Sequence, residues 1–175
     1  MPDVRLVDAV DRIPPTTYVG EAFRHVAERW HPLSGAGARL QGGRWNPPNS
    51  FATLYLAVDE ATAVAEYHRM AQRSGLVAED FMPRRLYRIA LELHAVVDLT
   101  AAPSELPDAL AELDFQARDL IASQAVGEAA EHLGREAVRA PSATGSGNIL
   151  AVFPDRLHPD SKVEPLDFRL WSEPP

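Results

Sequence analysis

GGRWNPPNSFATLYLAVDEATAVAEYHRM, residues 42–70, holds a loop, a strand and a helix in immediate succession. Residues 42–48 combine two glycines, two prolines, an asparagine and a tryptophan around Arg44. That composition predicts a sharply turning loop with one permanent positive charge. Residues 52–58 (ATLYLAV) are a short apolar run with an aromatic, the pattern of a buried strand. Asp59 is placed to cap a helix, with Glu60 in the favourable first turn. The helix is expected over residues 60–73 and to stop near Gly75. Ala63, Glu66, Tyr67 and Met70 then fall on related faces through i, i+3 and i+4 spacing.

Outward from this unit, residues 31–50 (HPLSGAGARLQGGRWNPPNS) are dense in Gly, Pro, Ser and Asn and are expected to form one long loop. Arg24 lies in a predicted strand, EAFRHV. Residues 86–99 (LYRIALELHAVVDL) alternate, with Tyr87, Ile89, Leu91 and Leu93 on one side and Arg88, Glu92 and His94 on the other. Residues 110–123 and 124–133 are expected to form one interrupted helix or two short ones, ended by Gly134. Short strands are predicted at 136–140, 148–153 and 165–171, with the loop PSATGSG between the first two. Elements in this order, with few regular βαβ units, imply α+β in a single domain over residues 1–175, with a mostly antiparallel or split sheet. Neither G-x-G-x-x-G nor G-x-x-x-x-G-K-[ST] occurs, which argues against Rossmann and P-loop binding.

Composition narrows the function. The 175 residues carry a net charge of -8, with 17 basic against 25 acidic side chains. A nucleic-acid binder needs a basic face, so that class is disfavoured. There is no cysteine, hence no thiolate nucleophile and no Cys-ligated zinc. The only lysine is Lys162, which restricts Schiff-base chemistry to that position. The six histidines show no metal-ligand spacing, and no metal site is expected. The N-terminus lacks the basic and apolar regions of a signal peptide, and no apolar run approaches the roughly 20 residues that span a bilayer. The expected location is the cytoplasm.

Four polar residues remain as candidates for chemistry. Arg44 offers a planar fork suited to phosphate oxygens, and Gly42 and Gly43 beside it would allow close backbone approach to a ligand. Its other reading is a solvated loop arginine stacked on Trp45. Glu66 is either a helix-surface residue paired with Arg69 or a carboxylate facing a developing cation, as cleavage of an N-glycosidic bond requires. Ser142 is either a turn serine or part of a loop whose N–H groups, with Gly145 and Gly147, would cradle an anion. Arg24 is the fourth.

Together these residues resemble the RES-domain family of bacterial toxin–antitoxin toxins, named for an Arg, a Glu and a Ser. The resemblance is carried by FRHVAERWHPLSGAGARLQGGRWNPPNSFATLYLAVDEATAVAEY, by APSATGSGNILAVFP and by LHPD, over about residues 17–160. It implies a fold like that of ADP-ribosyltransferase toxins and an activity that consumes NAD+ as substrate, with no separate cofactor. By position, Arg24 and Arg44 correspond to guanidinium ligands of the dinucleotide, Tyr55 to the contact at the nicotinamide end, Glu66 to the catalytic carboxylate and Ser142 to the serine of the triad. His25 stands where many relatives carry an aromatic, often tyrosine, and its imidazole would be free to change charge near neutral pH. The resemblance leaves open the acceptor of the ADP-ribosyl group: water, inorganic phosphate or a protein side chain. It also leaves open a non-catalytic binding role. It further implies an antitoxin partner with a helix-turn-helix DNA-binding region that plugs the active site.

Overall fold

Asp59 sets the boundary on which the architecture turns. Its Oδ1 accepts the backbone N–H of Thr62 at 2.7 Å, so a helix begins directly behind a buried strand. A computed structural model describes residues 2–175. The strands are β1 (Thr16–Ala27), β2 (Leu54–Ala57), β3 (Arg84–Asp98), β4 (Ala137–Pro141), β5 (Asn148–Val152) and β6 (Lys162–Trp171). The α-helices are α1 (Val4–Asp11), α2 (Ala36–Gln41), α3 (Glu60–Ser74), α4 (Asp108–Ala111) and α5 (Ile121–His132).

The six strands form one sheet in the order β1-β2-β5-β4-β3-β6, and a further β1–β3 pairing closes the first five into a ring. Every pairing is antiparallel except β3 with β4. The length of β3 makes this possible. One edge pairs with β1 from Arg84 to Val96, while the other serves β6 over Arg84–Glu92 and then β4 over Val96–Asp98. The α+β fold with a mixed, mostly antiparallel sheet is as the sequence implied.

Alternation sorts side chains between two cores. Leu54 and Leu56 of β2 join Ile89, Leu91 and Leu93 of β3 in one cluster. Tyr55, pointing the other way, packs against a second cluster that includes Trp45 and lies under α1 and α5. A third cluster, with Ala63 and Tyr67 of α3 against Leu86 and Trp171, holds α3 on the sheet. Gly75 ends α3 in the left-handed region, at φ 70°, as the glycine there predicted.

Two expectations are corrected. Residues 31–50 are not loop throughout: Ala36–Gln41 form α2. The run Ala-Arg-Leu-Gln has strong intrinsic helix preference, and the surrounding glycines and prolines masked it. The helical reading of residues 110–123 also fails across 112–120. There Asp114 and Asp119 accept the backbone N–H groups of Gln116 and Ile121 through their own side chains, which draws the chain into turns instead of helix. Helix α1 was not anticipated, although Asp3 caps it by accepting the Arg5 N–H.

The loop of residues 42–48 is built into the core rather than resting on it. The Tyr55 hydroxyl accepts the Trp45 N–H at 2.8 Å and donates to Asn46 Oδ1 at 2.8 Å. Asn46 Nδ2 in turn donates to Ala38 O at 2.7 Å, and both Trp45 and Asn46 are fully buried. The glycines serve this packing. A Cβ on Gly43 would stand 2.4 Å from the Tyr55 hydroxyl, and one on Gly127 of α5 only 1.8 Å from the Trp45 carbonyl. Gly42, at φ 75°, has Pro48 pressed against it. The expected use of Gly42 and Gly43, close approach to a ligand, gives way to close approach of the protein to itself.

Glu136 is the buried charge that ties down the opposite end. Its carboxylate accepts from the N–H groups of His94, Ala95 and His158 and from the Ser161 hydroxyl. Burial alone would raise its pKa, but these hydrogen bonds outweigh burial and hold the group below the usual carboxylate range.

Two stability predictions follow from these contacts. Tyr55→Phe leaves a buried N–H and a buried amide oxygen unpaired and should cost about 1–3 kcal/mol in denaturant unfolding. An unchanged midpoint would show that the hydroxyl does not hold the loop. Because the folded-state pKa of Glu136 is depressed, its contribution is complete above the unfolded value of about 4.3 and is lost as pH falls through the lower folded value. The wild type should therefore lose stability on acidification below about pH 4.3. Glu136→Gln, which sets an NH2 among donors, should be less stable at neutral pH and should lose less on acidification. Parallel pH profiles for the two proteins would contradict this.

Candidate active site

The cavity of interest, about 410 Å³, opens between the residue 42–48 loop, β1, β2 and α3. Arg24, His25, Arg44, Tyr55 and Glu66, all named from the sequence, line it. Ser142 is fully buried behind it and reaches it through Glu66.

Glu66 and Ser142 are 76 residues apart in the chain and meet in a 2.7 Å hydrogen bond, Ser142 Oγ donating to Glu66 Oε1. Alternation on β4 and capping of α3 produce this contact. β4 ends at Pro141, delivering Ser142 beside the N-terminal half of α3, where Glu66 sits one face away from the buried Tyr67. Ser142 is itself held. Its Oγ accepts the Thr144 N–H at 3.1 Å and lies 2.7 Å from Thr144 Oγ1, and its carbonyl accepts from Gln116 Nε2 at 3.0 Å. The N–H groups of Ser142, Thr144 and Gly145 are consumed inside this turn, so they are not the anion cradle the glycines suggested. Gly147, at φ 71°, lets the turn press against Thr62, where a Cβ would lie 1.8 Å from Oγ1. No Glu66–Arg69 ion pair forms among the described residues, so the surface reading of Glu66 is not what the fold adopts.

Each arginine is anchored at one nitrogen. Arg44 Nη1 donates to the carbonyls of Phe115 and Ala117, at 2.8 and 3.1 Å. These carbonyls are available because residues 112–120 are not helical. Arg24 Nη2 donates to Ser34 O at 2.8 Å. Arg44 Nη2 and Arg24 Nη1 are buried with no hydrogen-bond partner among the described residues. Both residues line the cavity, and a guanidinium with a buried, unpaired donor favours an anion nearby, since leaving such a donor unpaired is costly. Burial, then the Arg84 charge, brings the Arg24 pKa down to about 10. Arg44 is lowered by burial and then by Arg69 and Arg73, with Glu66 and Tyr55 opposing. Arg24, even at about 10, remains charged at neutral pH.

His25 differs from the sequence expectation. Part of its surface meets the cavity, but its ring is packed between Trp171, stacked at 5.7 Å, and the edge of Tyr67 at 5.5 Å. Its Nδ1 accepts from Arg84 Nε at 2.9 Å. Burial, followed by the charges of Arg84 and Arg24, pulls its pKa down to about 3. The imidazole is neutral at physiological pH and does not switch there. It acts as an aromatic that holds Arg84 in place.

Arg69, Arg73 and Arg84 also line the cavity and were not singled out from the sequence. The signal was present for two of them. Glu66, Arg69 and Arg73 share an i, i+3, i+7 stripe, which puts all three on one face of a helix. Arg84 carried no such signal, because its place depends on the β1–β3 register that pairs it with Ala27.

Comparison with known proteins gives the family of the chain. The RES domain family matches residues 10–171. NAD(+) phosphorylase MbcT of Mycobacterium tuberculosis is 33% identical over 159 residues, covering 90% of this chain and 86% of the relative, and the Mycobacterium bovis protein of the same name matches equally. The crystal structure of the M. tuberculosis MbcT–MbcA toxin–antitoxin complex superposes with a TM-score of 0.83 at 29% identity, over 97% of this chain and 93% of the matched chain. With Arg44, Glu66 and Ser142 converging as described, the chain belongs to the RES domain family.

Proposed function

We propose that this protein, read as one RES domain over residues 1–175, consumes NAD+ by breaking the nicotinamide–ribose bond with inorganic phosphate as acceptor. We further propose that it is the toxin of a toxin–antitoxin pair. The observation that carries the reading is the Ser142-held carboxylate of Glu66 in a cavity lined by Arg24 and Arg44. The resemblance to a phosphorylase and to a toxin in complex with its antitoxin supports it.

The chemistry is as follows. Arg24 and Arg44 bind the pyrophosphate through charge-assisted hydrogen bonds and fix the dinucleotide. Tyr55 lines the nicotinamide end, and His25 shapes the wall beside Arg24. As the C–N bond lengthens, positive charge grows on the ribose, and the Glu66 carboxylate stabilises it more strongly than it stabilises the ground state. The bonding pair leaves with nicotinamide, which becomes neutral. A phosphate oxygen supplies the pair for the new C–O bond, giving ADP-ribose phosphorylated at the anomeric carbon. Ser142 does not attack. It occupies one carboxylate oxygen and fixes the other's direction. NAD+ is a substrate here, and no separate cofactor enters this scheme. The proposed antitoxin, with a DNA-binding helix-turn-helix region, closes the cavity, and the proposed site of action is the cytoplasmic NAD+ pool.

Purified protein incubated with NAD+ should release nicotinamide and the anomeric phosphate of ADP-ribose, with a rate that rises with phosphate. Release of ADP-ribose at a phosphate-independent rate would replace phosphate by water. Absence of nicotinamide release would overturn the reading. Ser142→Ala removes a charge-assisted hydrogen bond worth about 1.5–3 kcal/mol. Turnover should fall about 10–100-fold while the NAD+ concentration for half-maximal rate stays within about twofold. Full activity in a folded variant would leave Ser142 as a turn residue.

A further inference from the structure

Five guanidinium groups line the 410 Å³ cavity, those of Arg24, Arg44, Arg69, Arg73 and Arg84, against the single carboxylate of Glu66. This excess stands out in a chain of net charge -8. Three of the five have tasks assigned above. Arg24 and Arg44 are anchored to backbone carbonyls and are proposed above to bind the dinucleotide, and Arg84 is bound to His25 through Nε and Nη2. Arg69 and Arg73 are the remainder. Neither makes a hydrogen bond or an ion pair among the described residues. Some surface arginines are paired, as Arg88 is with Glu21 and Asp167, and Arg156 with Glu131; others without an ion-pair partner among the described residues, such as Arg12, Arg29, Arg39 and Arg118, lie outside this cavity.

Their placement relative to Glu66 is set by helix geometry. At about 100° per residue, positions 66, 69 and 73 lie within a stripe about 60° wide, at axial heights about 4.5 and 10.5 Å beyond Glu66. Side chains on a helix lean toward its N-terminus. Arg69 and Arg73 therefore lean toward Glu66, the group that faces the carbon under attack. They also stand close enough to Arg44 to disfavour its charge. Three like charges set against the one carboxylate of Glu66 leave a net repulsion, and a small dianion among them would relieve it. The planar forks of two arginines suit the tetrahedral oxygens of one phosphate.

We infer that Arg69 and Arg73 form the binding site for the acceptor phosphate, holding it on the α3 side of the ribose next to Glu66. This deepens the phosphorolysis reading above and rests on it for the identity of the acceptor. The site delivers a nucleophile that would otherwise be repelled by the Glu66 carboxylate. It also explains how phosphate competes with water at the same carbon. The pair neutralises the dianion, so that one of its oxygens can approach the anomeric centre.

The test uses inorganic phosphate as the probe, first without turnover. Binding of phosphate to the full chain is followed by 31P NMR titration for wild type, Arg69→Ala, Arg73→Ala and the double variant. Arg5→Ala, on the exposed face of α1, changes net charge by the same unit as either single variant and is the control. The pair has no partners among the described residues to leave unsatisfied, so the variants should fold, and their melting temperatures check this. Each single variant should weaken phosphate binding about tenfold and the double variant more, with Arg5→Ala unchanged. In the NAD+ cleavage assay, the phosphate concentration for half-maximal rate should rise in parallel, while that for NAD+ stays within about twofold. Unchanged phosphate affinity in the double variant would overturn the proposal. So would a rise confined to NAD+, which would assign the pair to the pyrophosphate. Pair-dependent phosphate binding in a protein that does not cleave NAD+ would leave this site standing and remove the phosphorolysis reading instead.

Discussion

The Tyr55 hydroxyl is the constraint on which the site depends. It accepts one backbone N–H and donates to one amide oxygen, and both partners lie in the loop that carries Arg44. A phenol at the end of a rigid ring, fixed in a strand of the closed sheet, sets the position of that loop to within a hydrogen bond. The loop in turn sets its neighbours. Trp45 fills the core under α5, and its carbonyl lies so close to Gly127 that no larger residue fits there. Arg44 is left one direction in which to extend, past the carbonyls of Phe115 and Ala117 and along the cavity wall. In this account Tyr55 is at once a wall of the cavity and the tie that builds the opposite wall.

The electrostatic design suits an acidic chain to the anionic substrate proposed for it. The surface carries the negative excess, while the cavity gathers positive charge around one carboxylate. Glu66 keeps its position in that field because Ser142 holds one of its oxygens, and Ser142 is itself fastened by Thr144 and Gln116. A carboxylate fixed in this way beside the cavity is placed to stabilise a developing cation. The neutral state of His25 belongs to the same scheme. A charged imidazole beside Arg24 and Arg84 would add to an already repulsive wall, and burial removes that charge.

Much of the fold and site was legible because local chemistry and tertiary structure agree. The capped helix after a short apolar strand, the alternation of β3 and the glycine stop at Gly75 are local signals that packing leaves intact. The resemblance singled out Arg24, His25, Arg44, Tyr55 and Glu66, and the sheet brings them to one cavity with Ser142 behind it. What was hidden depends on contacts far apart in sequence. The glycines of the 42–48 loop read as room for a ligand, whereas Tyr55 and Pro48 occupy that room. Residues 112–120 read as helix, whereas two aspartates turn the chain and so expose the carbonyls that Arg44 needs. Arg69 read only as a surface partner for Glu66, and Arg73 was not read as a functional charge, because the cavity that both line is formed by distant segments. His25 read as a titrating group because its burial under Trp171 comes from the far end of the chain.

The central claim is that Glu66 acts by its charge in the transition state and not by binding the ground state. The most direct measurement compares Glu66→Gln with wild type in two quantities: the dissociation constant for NAD+ without turnover, and the single-turnover rate of nicotinamide release. Glutamine keeps the shape and the ability to accept from Ser142 but carries no charge. The account predicts a rate about 10²–10³-fold lower with NAD+ affinity within about twofold of wild type. A folded Glu66→Gln protein that releases nicotinamide at the wild-type rate would contradict it.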